Sequence, residues 1–385
     1  MSLVQVPNAL KQHSQRLVEV LCQRVEQAGG CLSFDAYMQC ALYTPQLGYY
    51  AGGLSKFGET GDFITAPEMG DLFGRCLASQ AQEVLANLSG GSMLEFGAGS
   101  GALAATILNE LAAQSALPEQ YFILEVSADL RARQAETLAQ RAPEHAGRVQ
   151  WLEIFPEQFE GVVIANEVLD AMPVKVFEQN AQGEVFEMGV TTENTGFAWK
   201  RLPANDALKQ AVKALEIDTQ DVYRSEINLV AQAWVKSVAQ SMTRGAVFLI
   251  DYGFRQSEYY HTDRREGTLM CHIQHQAHDD PFYLPGLQDI TAHVDFTAMA
   301  LAAKESGFEV TGYATQGAFL LALGLLDKID LNATMQAQIE SAQQVKKLTM
   351  PHEMGELFKV LALMKNSNQN LTGFNQQNHV QRLWA

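Results

Sequence analysis

The sequence predicts an α/β fold: a Rossmann-like core with a helical N-terminal extension, a β-rich insertion and a helical C-terminal cap. Three observations lead there. The run Ser92-Met-Leu-Glu-Phe-Gly-Ala-Gly-Ser-Gly101 reads as a strand ending in a glycine turn, and residues 102–111 continue with helical spacing. Two further apolar strands, 120–125 and 161–165, end on polar residues, so strand-loop-helix units follow one another. After Pro173 the pattern changes to short segments that alternate with period two and are separated by turn residues, which reads as hairpins.

Each element has its own signal. Residues 8–28 place Leu17, Val18, Leu21 and Val25 on one helical face, and a short helix at 33–42 follows. The loop 52–68 mixes glycines, aromatics and acids without periodicity, which suits a shaped surface better than a linker. A helix at about 69–88 delivers the chain to the glycine strand. The second strand leads to a helix at 129–140 and a third strand at 149–152, and the fourth runs into Asn166-Glu167-Val-Leu-Asp170-Ala-Met-Pro173. Hairpin segments at 174–178, 184–188 and 197–201 precede a helix at about 226–242 and a fifth strand at 246–253. A polar excursion spans 255–292; a helix near 294–306 and a strand at 308–313 rejoin the core, and about 317–364 is expected to be helical. The expected division is 1–89 for N-terminal helices and loop, 90–315 for the core with insertions at about 174–220 and 255–292, and 316–385 for the C-terminal region.

Composition narrows the function classes. With 47% hydrophobic residues the chain can bury a sizeable core, and a net charge of −17 argues against a bulk grip on nucleic acid or anionic membrane. It suits a cationic substrate better. The five cysteines are scattered without a C-x-x-C pair, so a reducing compartment and no structural zinc are expected. The N-terminal residues lack a basic segment followed by a long apolar one, and the longest apolar run, 318–326, is too short for a bilayer. A cytoplasmic protein without membrane insertion is the expectation.

The glycine turn has the form E-x-G-x-G-x-G, with Glu95, Gly97, Gly99 and Gly101, and Ala102 stands where a dinucleotide fold wants its third glycine. This form is typical of S-adenosylmethionine (SAM) enzymes, in which the carboxylate can face the methionine ammonium. Glu125, at the tip of the second strand, can accept hydrogen bonds from both ribose hydroxyls. Glu167 sits at the carboxyl end of a strand, where open sheets bind ligands. Asp170 could equally cap a helix, and Glu226 could be the N-terminal charge of its own.

Gly48-Tyr-Tyr50, Phe57-Gly58, Gly61-Asp62-Phe63-Ile-Thr65-Ala-Pro67-Glu68, the Glu95–Gly101 turn and Asn166–Pro173 together resemble the MidA-like SAM-dependent methyltransferases. Ile250-Asp251-Tyr-Gly253, His278-Asp279, Pro285-Gly286, Asp289-Ile-Thr291 and His293-Val-Asp295-Phe296 extend the match, which runs from about residue 15 to 365. Mitochondrial members of that family are complex I assembly factors and protein arginine methyltransferases. The resemblance therefore implies a class I SAM-dependent methyltransferase core, SAM as cofactor, and a protein substrate such as a respiratory complex I subunit. It implies catalytic roles for Glu167, Asp170, Glu226 and Asn166, with Asn166 beside the methionine moiety. Gly61, Asp62 and Thr65 are expected near the cofactor, and Glu68, His278 and Asp279 near the substrate.

The chemistry fits that class. A guanidinium stays protonated, so its site needs carboxylates that clamp the planar fork and leave one nitrogen aimed at the methyl group. Methyl transfer is an in-line displacement in which alignment does much of the work. Glu-Val-Leu-Asp replaces the proline-proline-aromatic sequence of DNA adenine methylases, which counts against a base substrate. His272, His275 and His278 recur every third residue, but the polar sequence around them suits a loop better than a metal site. That loop and the 57–68 loop are expected to close over the substrate as two lips and exclude water. Two other readings fit the same core: a small-molecule methyltransferase, and a non-catalytic assembly factor that binds a partner protein.

Overall fold

The strands that the sequence marks lie side by side in the computed structural model, which describes residues 6–52, 65–88, 90–194, 196–217 and 220–385. β1 (Ser92–Phe96), β2 (Tyr121–Leu124), β3 (Val149–Leu152), β4 (Phe159–Asn166) and β5 (Met242–Phe254) pair in parallel. β6 (Glu309–Thr315) and β7 (Phe358–Lys365) complete the order β3-β2-β1-β4-β5-β7-β6, with β7 antiparallel to both neighbours.

Burial on both faces explains why these strands read as continuous apolar runs. Along β4, Val162 and Ile164 join a cluster with the helices Leu72–Leu85 and Ala102–Ala113. Val163 and Ala165 point the other way, into a cluster with Leu229–Ser241 and Phe296–Glu305. The result is a three-layer core.

β7 corrects the expectation of a helical segment up to 364. A short apolar run such as Phe-Lys-Val-Leu-Ala-Leu-Met-Lys fits helix or strand by pattern alone. Its setting between β5 and β6 decides: Val360, Ala362 and Met364 feed one face of the sheet, Leu361 and Leu363 the other. The helices Gln316–Ala322 and Met335–Thr349 lie between β6 and β7 in the chain and cover one side through Phe319, Leu320 and Leu348.

A second sheet contains Lys175–Gln179, Val185–Glu193, Gly196–Pro203 and Tyr223–Ile227, joined by the short N-terminal strand Leu32–Ser33. Val176, Met188 and Val190 bury it against Phe34, Tyr37 and Met38 of the helix Phe34–Tyr43. The polar excursion, expected as a loop, contains paired strands at Met270–Ile273, Gln276–His278 and Asp289–Thr291. No helix among the described residues is long and apolar enough to cross a membrane.

The strand order reverses between β1 and β4, which is where open sheets leave a crevice beyond their carboxyl ends. The segments that follow β1, β2, β4 and β5 converge there.

Candidate active site

The crevice deepens into a cavity of about 600 Å³. One end is built from the glycine turn. Gly97, Gly99 and Gly101 all have left-handed backbone, with φ of 62°, 53° and 88°. At Gly101 a Cβ would stand 3.1 Å from the Gln134 Cα, so the turn can pack on the neighbouring helix only without a side chain. Gly97, Ala98 and Gly99 line the cavity.

Glu125 stands at the tip of β2, 7% exposed, and accepts the Ser127 amide at 2.9 Å and the Gln134 amide at 3.2 Å. Burial pushes its carboxyl up, and those hydrogen bonds offset part of the effect. Gln134 also donates to the Gly99 carbonyl at 3.1 Å and accepts the Trp151 indole at 2.8 Å. One glutamine thereby fixes the strand tip relative to the glycine turn. Glu95 lines the cavity too, but it accepts the Tyr121 hydroxyl at 2.7 Å, and burial raises its carboxyl to about 7.

The other end is acidic. Glu167, directly after β4, has φ of +53°, a conformation that a side chain rarely adopts, and its amide donates to the Ile250 carbonyl at 2.9 Å. Asp251, fully buried on β5, shapes the turn that follows by accepting the amides of Leu169 at 3.0 Å and Asp170 at 3.3 Å. Asn166 donates to the Glu167 carboxylate at 3.1 Å, while its own Oδ1 is buried without a partner. Burial first, and the Asp170 charge next, push Glu167 up to about 8; the Ala66 backbone partly offsets this. Burial also holds Asp170 up at about 6, and Asp251 is raised by burial and by its acidic neighbours.

Tyr43, Tyr50, Tyr252, Asp289, Met270, His272 and His293 complete this end. The Tyr43 and Tyr50 rings stack with centroids 5.5 Å apart, and the Tyr43 hydroxyl donates to the Ala171 carbonyl at 3.0 Å. Burial lowers both His272 and His293 to about 4, so each is neutral at pH 7. No lysine or arginine lines the cavity among the described residues.

Glu95, Gly97, Gly99, Glu125, Asn166, Glu167, Asp170, Thr65 and Glu68 thus meet on one cavity, and Gly101 caps the helix behind its turn. Glu68 accepts the Ser100 hydroxyl, tying its segment to the glycine turn. Gly61 and Asp62 lie outside the described residues. Besides Gly101, three expected residues among those described do not line the cavity. Glu226 spends its carboxylate on Thr268, Leu269 and Tyr259. Asp279 is exposed, and His278 stands edge-on to Tyr283. Strand geometry gives the reason for the last: His278 pairs with Cys271, and neighbours along a strand face opposite sides. Met270 and His272 therefore take the cavity side. No cluster of three histidines, cysteines or acids able to hold a metal occurs among the described residues.

Of the residues not anticipated, Tyr50, Tyr252, Asp289 and His293 lie inside segments that carry the family resemblance. Their signal was present, though nothing local distinguishes them from structural residues.

The arrangement fits SAM. The glycine turn admits close backbone approach, Glu125 is a carboxylate for ribose hydroxyls, Val126 and Leu130 offer apolar flanks to a purine, and Asn166 Oδ1 lacks a donor. Residues 74–314 match the model of the family described as "Putative S-adenosyl-L-methionine-dependent methyltransferase". A zebrafish (Danio rerio) protein named protein arginine methyltransferase NDUFAF7, mitochondrial, is 27% identical over 376 residues, 88% of this chain and 85% of that one. The Drosophila melanogaster homologue of that name is 27% identical over 368 residues, 87% of this chain and 82% of its own. A candidate methyl transferase from Burkholderia thailandensis, crystallised with S-adenosyl-homocysteine (SAH), superposes with a TM-score of 0.95. It is 41% identical, over 99% of this chain and 100% of that one. With the family match covering well over half of its length and a SAH-bound relative of the same fold, this chain belongs to that family of SAM-dependent methyltransferases, and SAM is its cofactor.

Proposed function

We propose that the protein methylates an arginine guanidinium of a partner protein. The observation that carries this is the acidic, tyrosine-walled end of the cavity: Glu167, Asp170 and Asp289 stand there with no lysine or arginine among the described lining residues. Carboxylates buried without a counter-charge hold protons, as the raised values of Glu167 and Asp170 express. A cation entering beside them restores their ionised forms. A guanidinium suits the place because it keeps its charge and its planar fork matches carboxylates, and flat Tyr43 and Tyr50 rings give it walls.

Bound SAM supplies an electrophilic methyl group. The residues of this chain do the rest. Glu125 and the glycine turn hold the nucleoside end, and Glu95 and Asn166 the methionine end, with Thr65 and Glu68 as the near lip. Glu167 and Asp289 grip the guanidinium and aim one nitrogen, and Asp170 stands behind them. The methylated nitrogen has one proton to lose, and the Glu167 carboxylate, ionised once the guanidinium is bound, is the base placed to accept it.

The names of the 27% identical relatives support a protein acceptor. A respiratory complex I subunit is the target that the family resemblance adds. The test is to incubate the protein with methyl-labelled SAM and extract from cells lacking its gene, then count label in protein and in small molecules separately. Label in a protein band is expected. Label confined to the small-molecule fraction contradicts the proposal and favours a small-molecule enzyme.

A further inference from the structure

Glu226 does not reach the cavity, yet it is bonded to segments that do. Its carboxylate, 1% exposed, accepts the Thr268 amide at 3.0 Å, the Thr268 hydroxyl at 3.1 Å, the Leu269 amide at 3.4 Å and the Tyr259 hydroxyl at 3.3 Å. None of these partners carries a charge. The backbone is shaped to meet the carboxylate: Gly267 has φ of +77°, and a Cβ there would fall 2.1 Å from Glu226 Oε1. Only a glycine lets the chain pass so close.

Thr268 carries the connection onward. Its hydroxyl also accepts the His293 amide at 3.1 Å. Met270 and His272 follow on the strand that begins just after it and pair with Thr291 and Asp289. One threonine, fixed by one glutamate, therefore joins the two segments that supply Met270, His272, Asp289 and His293 to the cavity wall. A buried carboxylate fully engaged by amides and hydroxyls is a rigid anchor, because releasing any donor leaves it unsatisfied.

We propose that Glu226 is a positioning residue: through Thr268 it sets where Met270, His293 and Asp289 stand. The β-rich insertion thereby governs alignment of the acceptor without touching the cofactor. The structural part stands by itself, and only its kinetic consequence rests on the guanidinium reading above.

The test compares T268V, T268S and E226Q in the full chain. Three readouts are taken: the Met270 methyl and His293 ring resonances, SAH affinity by calorimetry, and methyl transfer to the labelled protein acceptor. T268V and E226Q should shift both resonances and lower kcat by about tenfold or more, since small misplacements of aligned groups are costly. SAH affinity should stay within about twofold in every variant, because the cofactor-binding end is unchanged. T268S, which keeps the hydroxyl, should behave as the parent. Unmoved resonances in both T268V and E226Q would overturn the proposal, whatever happens to thermal stability. So would SAH affinity falling in step with kcat. If no guanidinium is methylated by the parent protein, the resonances still decide the positioning role.

Discussion

The Tyr50 hydroxyl is shared between both carboxylate oxygens of Asp289, at 3.0 and 2.9 Å, across a sequence separation of 239 residues. The contact fixes one acid of the cavity's acidic end from the N-terminal extension. Y50F removes that donor from the carboxylate. Hydrogen bonds to charged groups contribute about 1.5–3 kcal/mol, so acceptor kcat/KM should fall about ten- to hundredfold. SAH affinity by calorimetry should hold, and an equal loss in both would place Tyr50 at the cofactor instead.

Glu167 gives a pH signature. Its carboxyl is raised from 4.5 to about 8, so the folded protein holds a proton that the unfolded chain releases. The stability this provides is complete below 4.5 and is lost as pH rises towards 8. E167Q cannot lose that proton. Its thermal midpoint should therefore gain on the parent as pH rises from 5 to 8. A constant difference across that window would show that Glu167 titrates normally. In the parent, a guanidinium ligand should release protons on binding, read as a buffer-dependent heat.

Much of this was legible in the sequence because it depends on local spacing. The glycine turn, Glu125 at the tip of β2 and Asn166-Glu167 at the end of β4 follow from strand ends, and they meet on one cavity. The acidic end was less legible because long-range packing builds it. Tyr50 holds Asp289, and nothing near Asp289 in sequence reveals that partner. Glu226 lies off the cavity, and its bond to Thr268 joins residues 42 positions apart, which no local spacing reveals. β7 reads as helix in the sequence because eight apolar-rich residues do not declare their period until sheet neighbours cover both faces.

Glu125 should govern the cofactor alone. E125A removes the acceptor offered to ribose hydroxyls and should weaken SAH binding about ten- to hundredfold. The acceptor end, built from other elements, should keep its Met270 and His293 resonances. If E125A bound SAH as tightly as the parent, the nucleoside end would have to lie elsewhere.

Gly101 tests the turn behind it. G101A sets a Cβ at φ of 88°, 3.1 Å from the Gln134 Cα. Such strain costs about 1–3 kcal/mol, so the thermal midpoint should drop and SAH affinity should drop with it. G147A is the control, because a Cβ at Gly147 meets nothing within 4 Å.

The most direct measurement locates the transferred methyl by fragment mass spectrometry of the labelled protein acceptor, for the parent and for D289N. The expected result is methyl on an arginine guanidino nitrogen with the parent, and a loss of transfer in D289N while SAH binding persists. Methyl on any other group, or D289N transferring at the parental rate, would contradict a guanidinium chamber at the acidic end of the cavity.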